Sequence, residues 1–234
     1  MNVSAISTQI AKPFLSAYHY LGNKGFRSSF IYGIFDNDIL MGVCVFHGLS
    51  APETVVGAFG LQRTEQSGFY ELGRLAMHPT LNGGNHTSWF VSKAIKQLRK
   101  DTEVRSIISY ADSSAGHIGS IYRACNALYC GIATPKFDYI TPDGKVKERF
   151  KPEEKGTAHL YEKRWRGIKH RYVWIFDPTL SLRWKVESCN WNGIKAGIKI
   201  TRPKDAGELA GCLLPGKDPV YPEQHGTRCR YNCA

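Results

Sequence analysis

Apolar residues recur along the first 176 positions in short strand-like runs and in stripes spaced for helices. Ser7 to Tyr20 sets Ile10, Phe14 and Tyr18 on one helical face, continued by Leu21, and Pro13 predicts that this helix is short or broken. Ser28 to His47 reads as a hairpin, with Phe30 to Phe35 as one arm, Asp36-Asn37-Asp38 as the turn and Leu40 to Phe46 as the return. Asn and Asp suit such a turn because they tolerate left-handed backbone and bond their own main chain. Val55 to Leu61 and Phe69 to Met77 are two further predicted strands, with a polar connection at Thr64 to Gly68. A helix then follows a Gly-Gly turn. Trp89, Phe90, Ala94, Ile95 and Leu98 share its apolar face, opposite Lys93, Lys96, Gln97, Arg99 and Lys100. Val104 to Tyr110 predicts a buried strand, Gly116 to Cys125 a helix and Ala127 to Thr134 a strand. The alternation implies an α/β chain with a mixed sheet covered by helices.

Phe137 to Ile140, a Pro142-Asp143-Gly144 turn and Tyr172 to Phe176 complete the periodic part. Beyond Asp177-Pro178 the chain is rich in Gly, Pro and Cys without sustained periodicity. The reading is therefore one domain over 1–176 and an irregular extension over 177–234, with no internal repeat.

Composition adds a partner class. Among 234 residues, 31 Lys and Arg outnumber 20 Asp and Glu, for a net charge of +11 and a pI near 9.3. Such an excess favours a polyanion and is silent on fold. With 42% hydrophobic residues the chain is an ordinary globular one, which excludes disordered and collagen-like classes. No apolar run reaches the roughly 18 residues of a membrane helix, and Met1 to Ile10 lacks a basic region before an apolar core. A soluble, intracellular protein is expected. Seven scattered cysteines favour a reducing compartment, with Cys44 and Cys130 acting as small hydrophobes inside strands.

Six places carry candidate chemistry. The turn Asn82-Gly83-Gly84-Asn85-His86-Thr87-Ser88 precedes a helix, whose unpaired N–H groups suit a phosphate or pyrophosphate; an ordinary capped loop is the alternative. Asp112 closes a buried strand as a base, a metal ligand or a helix cap, and His117 and Tyr122 follow at five and ten residues. Tyr18-His19-Tyr20 is an aromatic–imidazole cluster or simply core. Glu71 and Arg74, three apart on a strand, are expected on opposite faces. Arg74, in an apolar strand, requires a carboxylate or an anionic substrate group. Lys145 to Arg171 carries ten Lys and Arg against four Glu. Its end, Lys163-Arg164-Trp165-Arg166 with Lys169 and Arg171, alternates cations with aromatics as phosphate contact and base stacking require. Cys212, His225, Cys229 and Cys233 fit no zinc spacing and read as a tail.

Together these motifs resemble the Mom family of bacteriophage DNA-modification proteins. The likeness covers about residues 10 to 176 and lies in Tyr18-His19-Tyr20-Leu21-Gly22, Glu71-Leu72-Gly73-Arg74-Leu75, Asn85 to Ala94, Tyr110-Ala111-Asp112 through Tyr122, and the basic Lys163–Tyr172 stretch. It implies a mostly antiparallel sheet similar to the GCN5-related N-acetyltransferases. It also implies conversion of adenine in double-stranded DNA to N6-carbamoylmethyladenine, shielding phage DNA from restriction in the host cytoplasm. The implied functional residues are His19, Tyr20, Arg74, Asp112 and Tyr122, with Ser88 a further match. Iron is implied on His19, Asp112 and one tyrosine, Tyr122 or Tyr20. Acetyl-CoA or another acyl-CoA is a possible small-molecule donor, bound by Gly83, Gly84, Asn85, Thr87 and Ser88. The acetyltransferase pyrophosphate loop, Arg/Gln-x-x-Gly-x-Gly/Ala, is replaced here by Leu81-Asn82-Gly83-Gly84-Asn85-His86. On this reading adenine is flipped into the pocket, at a few kcal/mol, and Lys163 to Arg171 hold the phosphates. The alternatives are an acyl-CoA-dependent N-acetyltransferase acting on a small amine or protein, and a non-catalytic DNA-binding protein.

Overall fold

The computed structural model of the chain describes residues 1–81, 84–134, 136–147, 150, 151, 154 and 156–187. Ten strands and four α-helices follow one another as β1 (Asn2–Ala5), α1 (Thr8–Tyr18), β2 (Phe30–Asp36), β3 (Ile39–Gly48), α2 (Glu53–Phe59), β4 (Phe69–Met77), α3 (His86–Asp101), β5 (Ser106–Asp112), α4 (Ser120–Ala124), β6 (Leu128–Ile132), β7 (Phe137–Ile140), β8 (Val146–Lys147), β9 (Glu162–Trp165) and β10 (Lys169–Ile175). Seven strands form one sheet in the order β1-β2-β3-β4-β5-β10-β6, and β8-β7-β9 form a small second sheet. The large sheet is antiparallel except where β4 meets β5. The mixed, mostly antiparallel sheet flanked by helices is therefore present.

The parallel pair is short. Pairing runs from Phe69 with Ser106 to Leu72 with Ser109 and stops there. Both strands continue, to Met77 and Asp112, so their C-terminal ends splay apart. Tyr32, Phe46, Leu72, Phe90, Leu98 and Trp174 form the core beneath α3 and α4. On the other face α1 packs Ala11, Phe14 and Leu15 on Ile31, Val43 and Val45. There α2 also packs Val55, Ala58 and Phe59 on Phe69, Ile108 and Val173. Each fully buried side chain of this size contributes about 1.5–3 kcal/mol.

Three expectations are corrected. Val55 to Leu61 is not a strand: Glu53 enters the first turn after Pro52, Gly60 closes the helix at φ 72°, and Thr54, Val55, Ala58 and Phe59 are buried at helical spacing. α1 is short, as expected, its 11 residues running unbroken through Pro13 because Ser7 caps it and the burial of Ala11, Phe14 and Leu15 outweighs one lost backbone bond. Its apolar face is turned, leaving Ile10 half exposed, and in α3 Val91 replaces Trp89 in the buried set. The third concerns Glu71 and Arg74. A β-bulge intervenes: Phe46 pairs with Leu72 but Val45 with Arg74, so Gly73 is the extra residue and Arg74 joins Glu71 on the α1 face.

Past residue 176 the described chain stays on the sheet. Leu180, Leu182 and Trp184 join the α2 cluster, and the Glu187 amide donates to the Tyr129 carbonyl. Cys189, Cys212, His225, Cys229 and Cys233 lie outside the described residues. Cys44, Cys125 and Cys130 are buried free thiols, as small hydrophobes should be.

The bulge depends on glycine, because a Cβ at Gly73 would lie 2.2 Å from Nε2 of His47. Gly73→Ala is expected to cost about 1–3 kcal/mol in urea unfolding. The double variant Gly73→Ala/His47→Ala should cost less than the sum of the single changes, because it removes the clash. Simple additivity would show that the His47 ring is not what excludes the methyl group.

Candidate active site

The splayed end of β4 and β5 gathers side chains from three distant stretches. α1 ends at Tyr18, and the chain turns at once: the Leu21 amide donates to Nδ1 of His19 at 3.1 Å. This bond leaves the proton of the neutral imidazole on Nε2, making it a donor. His19 is buried and stacks on Tyr20, the ring centroids 4.7 Å apart. Tyr20 in turn meets His117 at 5.3 Å. Burial, the Arg74 guanidinium and His117 push the His19 pKa down to about 3. Burial also lowers that of His117, opposed by Asp112. Both rings are therefore neutral at physiological pH.

Arg74 reaches the same place through the bulge. It donates from Nη1 to the carbonyl of Gly73 and from Nη2 to that of Lys24, each at 2.8 Å. Its Nε is buried without a hydrogen-bond partner. Among the described residues no carboxylate forms an ion pair with it. The carboxylate expected as one possible partner is thus not Glu71, which accepts the backbone N–H and hydroxyl of Ser50 at 3.0 and 2.7 Å. A half-buried cation held only by carbonyl dipoles is suited to an anionic group of a ligand.

Asp112 caps the turn Ser113–Ala115, its Oδ1 accepting the amide and hydroxyl of Ser114 at 3.0 and 2.5 Å. Its Oδ2 lies 3.9 Å from Nζ of Lys169, the β10 residue opposite it in register. Tyr122 comes from the other side of the sheet. Its ring packs 5.3 Å from Tyr172 and 5.7 Å from Trp174. The hydroxyl hydrogen-bonds Ser109, the last β5 residue paired with β4, and burial pushes its pKa up to about 12. It is protonated at neutral pH.

The structure thus brings together His19, Tyr20, Arg74, His117 and Asp112, while Tyr122 packs on the opposite face of the sheet against Tyr172 and Trp174. It does not assemble the iron set. Tyr122 approaches from the opposite face, Tyr20 lies beside His19, Asp112 Oδ1 is taken up by Ser114, and no group of three or more His, Cys, Asp or Glu among the described residues is placed to hold a metal ion. The residues present do not fit that metal.

At the start of α3, Gly84 has φ 62° and Asn85 makes no side-chain cap bond. Thr87 and Ser88 lie half-buried in the first turn, where Ser88 Oγ donates to the Asn85 carbonyl. Gly83 lies outside the described residues. α3 follows β4, so this turn faces the splayed end.

The basic segment is more structured than expected. Lys163, Arg164 and Trp165 form β9, where Trp165 packs on Phe137 at 5.4 Å and Lys163 lies 4.9 Å over the same ring. Arg166 pairs with Asp138. Arg171 stacks on Trp184 at 4.4 Å. Trp165 and Arg171 are therefore packing residues, whereas Lys163 and Arg164 stay exposed. The interleaved aromatics form a small core with Phe137, Tyr139 and Tyr161 instead of an open stacking platform. His117 was raised in sequence only by its spacing from Asp112, and His47, inside an apolar strand, gave no signal.

A mixed sheet opening onto such a cluster invites comparison with known group-transfer proteins. The model of the Mom protein family matches residues 1–191, and the chain belongs to that family. It is 27% identical over 133 residues to the methylcarbamoylase mom of Escherichia phage Mu, covering 56% of this chain and 54% of that protein. The match thus spans about half the length of this relative. Three solved acetyltransferases are also similar. One from Bacillus subtilis, in complex with CoA, has a TM-score of 0.45 and 13% identity, covering 75% of this chain and 98% of its own. An IAA acetyltransferase from Bacillus cereus has a TM-score of 0.46 and 12% identity over 75% of this chain and 99% of its own. A ribosomal-protein-alanine N-acetyltransferase from Brucella melitensis has a TM-score of 0.45 and 10% identity over 75% of this chain and 100% of its own. Among the described residues no helix is long and apolar enough to cross a membrane.

The depressed His19 pKa has a consequence for stability. Between about 3 and 6.5 the unfolded imidazole takes up a proton that the folded one refuses. Stability therefore falls as pH drops through that window, by at most roughly 1.4 kcal/mol per pH unit for one group, and the loss is absent above it. His19→Gln should flatten the acid side of a plot of urea midpoint against pH. An unchanged slope would show that His19 is accessible to protons in the folded state.

Proposed function

We propose that this protein is a DNA-modifying transferase that attaches a carbamoylmethyl group to the exocyclic N6 of adenine in double-stranded DNA, protecting phage DNA from restriction in the host cytoplasm. The observation that carries this reading is the meeting of His19, Tyr20, Arg74 and Asp112 at one open sheet end in a member of the Mom family. These four come from sequence stretches up to 93 positions apart.

The roles follow from protonation state. Forming the N6–carbon bond requires loss of one N6 proton and departure of the donor's leaving group. His117, neutral and in the field of Asp112, takes the proton. His19 donates from Nε2 to an oxygen or ring nitrogen of the substrate. Arg74 holds an anionic group, of the DNA or the donor, through the donors its carbonyl partners leave over. Tyr122, protonated and packed on the opposite face of the sheet, supports the end of β5 at Ser109, where the cleft opens. The target amine lies inside the duplex stack, so the base is flipped out to reach these groups. Lys163 and Arg164 contact the flanking phosphates.

A second reading, an acyl-CoA-dependent N-acetyltransferase acting on a small amine or protein, is favoured by the first turn of α3. It faces the same opening without a side-chain cap bond from Asn85, and helix N-termini bind pyrophosphate.

The test is mass spectrometry of nucleosides from the DNA of cells expressing the wild type, Asp112→Ala or Arg74→Ala. An adenine adduct heavier by a carbamoylmethyl group is expected in the wild type, reduced in each variant by on the order of 100-fold or more. Unmodified DNA from well-expressed wild type would overturn the DNA reading. Acetyl-CoA binding in that sample would establish the acetyltransferase.

A further inference from the structure

A groove of about 250 Å³ runs between α3 and the edge strand β1. Lys93, Lys96 and Lys100 line it on one side together with Trp89, and Asn2 and Val3 of β1 line the other. The lysines stand at i, i+3 and i+7, so they share one helix face and span about 10 Å of axis. The Lys93 ammonium lies 5.4 Å over the Trp89 ring, and the indole is 39% exposed. β1 is the edge strand of the sheet, so one side of its backbone has no ladder partner.

A solvated helix face usually mixes charge signs at i, i+4 spacing. α3 does not. Its one acid, Asp101, accepts hydrogen bonds from Tyr32 and Gln97, and among the described residues no ion pair involves the three lysines. We infer that this groove binds the phosphate backbone of duplex DNA, without reading sequence. The inference rests on the DNA reading above and adds a second contact surface to it.

The match is one of charge density and direction. Each strand of duplex DNA carries one charge per roughly 3.4 Å of axis, so the span of the lysine row matches about three phosphates of one strand. A single nucleotide or coenzyme would need convergent donors, whereas these cations are strung out in a line. The row begins about 7 Å along the axis from the first turn of α3, which faces the splayed end. A duplex lying on it therefore extends away from the place where a flipped base would enter. Trp89, at the near end, offers an apolar edge to a sugar.

Fluorescence anisotropy of the full chain with a short mixed-sequence duplex, titrated against NaCl, tests this. Lys93→Ala/Lys96→Ala/Lys100→Ala should weaken binding at least 10-fold and lower the salt slope by about 2.7, and the corresponding triple Arg variant should keep the wild-type slope. An alanine variant that binds like wild type overturns the inference and leaves the DNA reading intact. Loss of binding in both triple variants also overturns it, because charge would then not be the determinant. Absence of duplex binding by the wild type at low salt overturns both.

Discussion

Two parallel strands that keep company for four residues and then part determine where everything else in this molecule falls. A parallel pair is held by slanted backbone bonds and normally lies buried beneath crossover helices. When β4 and β5 separate after Leu72 and Ser109, their last residues leave the ladder and the sheet opens at one end. The chain uses that opening from every direction. α1 delivers His19 and Tyr20 over one face, α4 brings Tyr122 against the other, and the connection after β5 returns Asp112 and His117 between them. α3 starts above the same gap. No single element holds the site, so its geometry is only as firm as the packing of α1, α3 and α4 on the sheet. α1 and α3 make those contacts through buried side chains, whereas every residue of α4 keeps some exposure.

Electrostatics in this gap follow from burial. Two imidazoles are kept neutral, a tyrosine keeps its proton, and one guanidinium donates to two carbonyl oxygens with its Nε unpartnered and no carboxylate paired to it. A site built this way holds positive potential without titrating near neutrality. It is prepared for an anionic ligand and for proton movement between neutral groups. An iron centre asks for a different arrangement, with several donors turned toward one point, and the side chains here are turned toward one another and toward the backbone.

The sequence was informative where local rules decide. The β2–β3 hairpin with its Asn37-Asp38 turn, the amphipathic α3, the buried β5 and the cap at Asp112 all follow from residue type and spacing. It misled where tertiary packing or register decides. Val55 and Val56 suggest a strand, yet Gly60 and the burial of Ala58 and Phe59 make a helix. The basic run near Trp165 suggests a stacking surface, but its rings pack on one another. Of the site, His19, Tyr20 and Asp112 were legible through the family resemblance. That Arg74 faces them was not, because alternation counts residues and a bulge changes the count.

That bulge also guards the pairing of β3 with β4. If the strands closed it and moved on by one residue, every backbone bond could still form. Arg74 would then point into the apolar layer beside Cys44, and Leu75 would turn toward the cleft. The slipped sheet would bury an unpaired cation among Tyr32, Cys44 and Phe46. The same guanidinium that awaits a ligand therefore makes the wrong register costly, and a neutral residue at this position would remove both the binding group and the penalty that keeps the two strands in step.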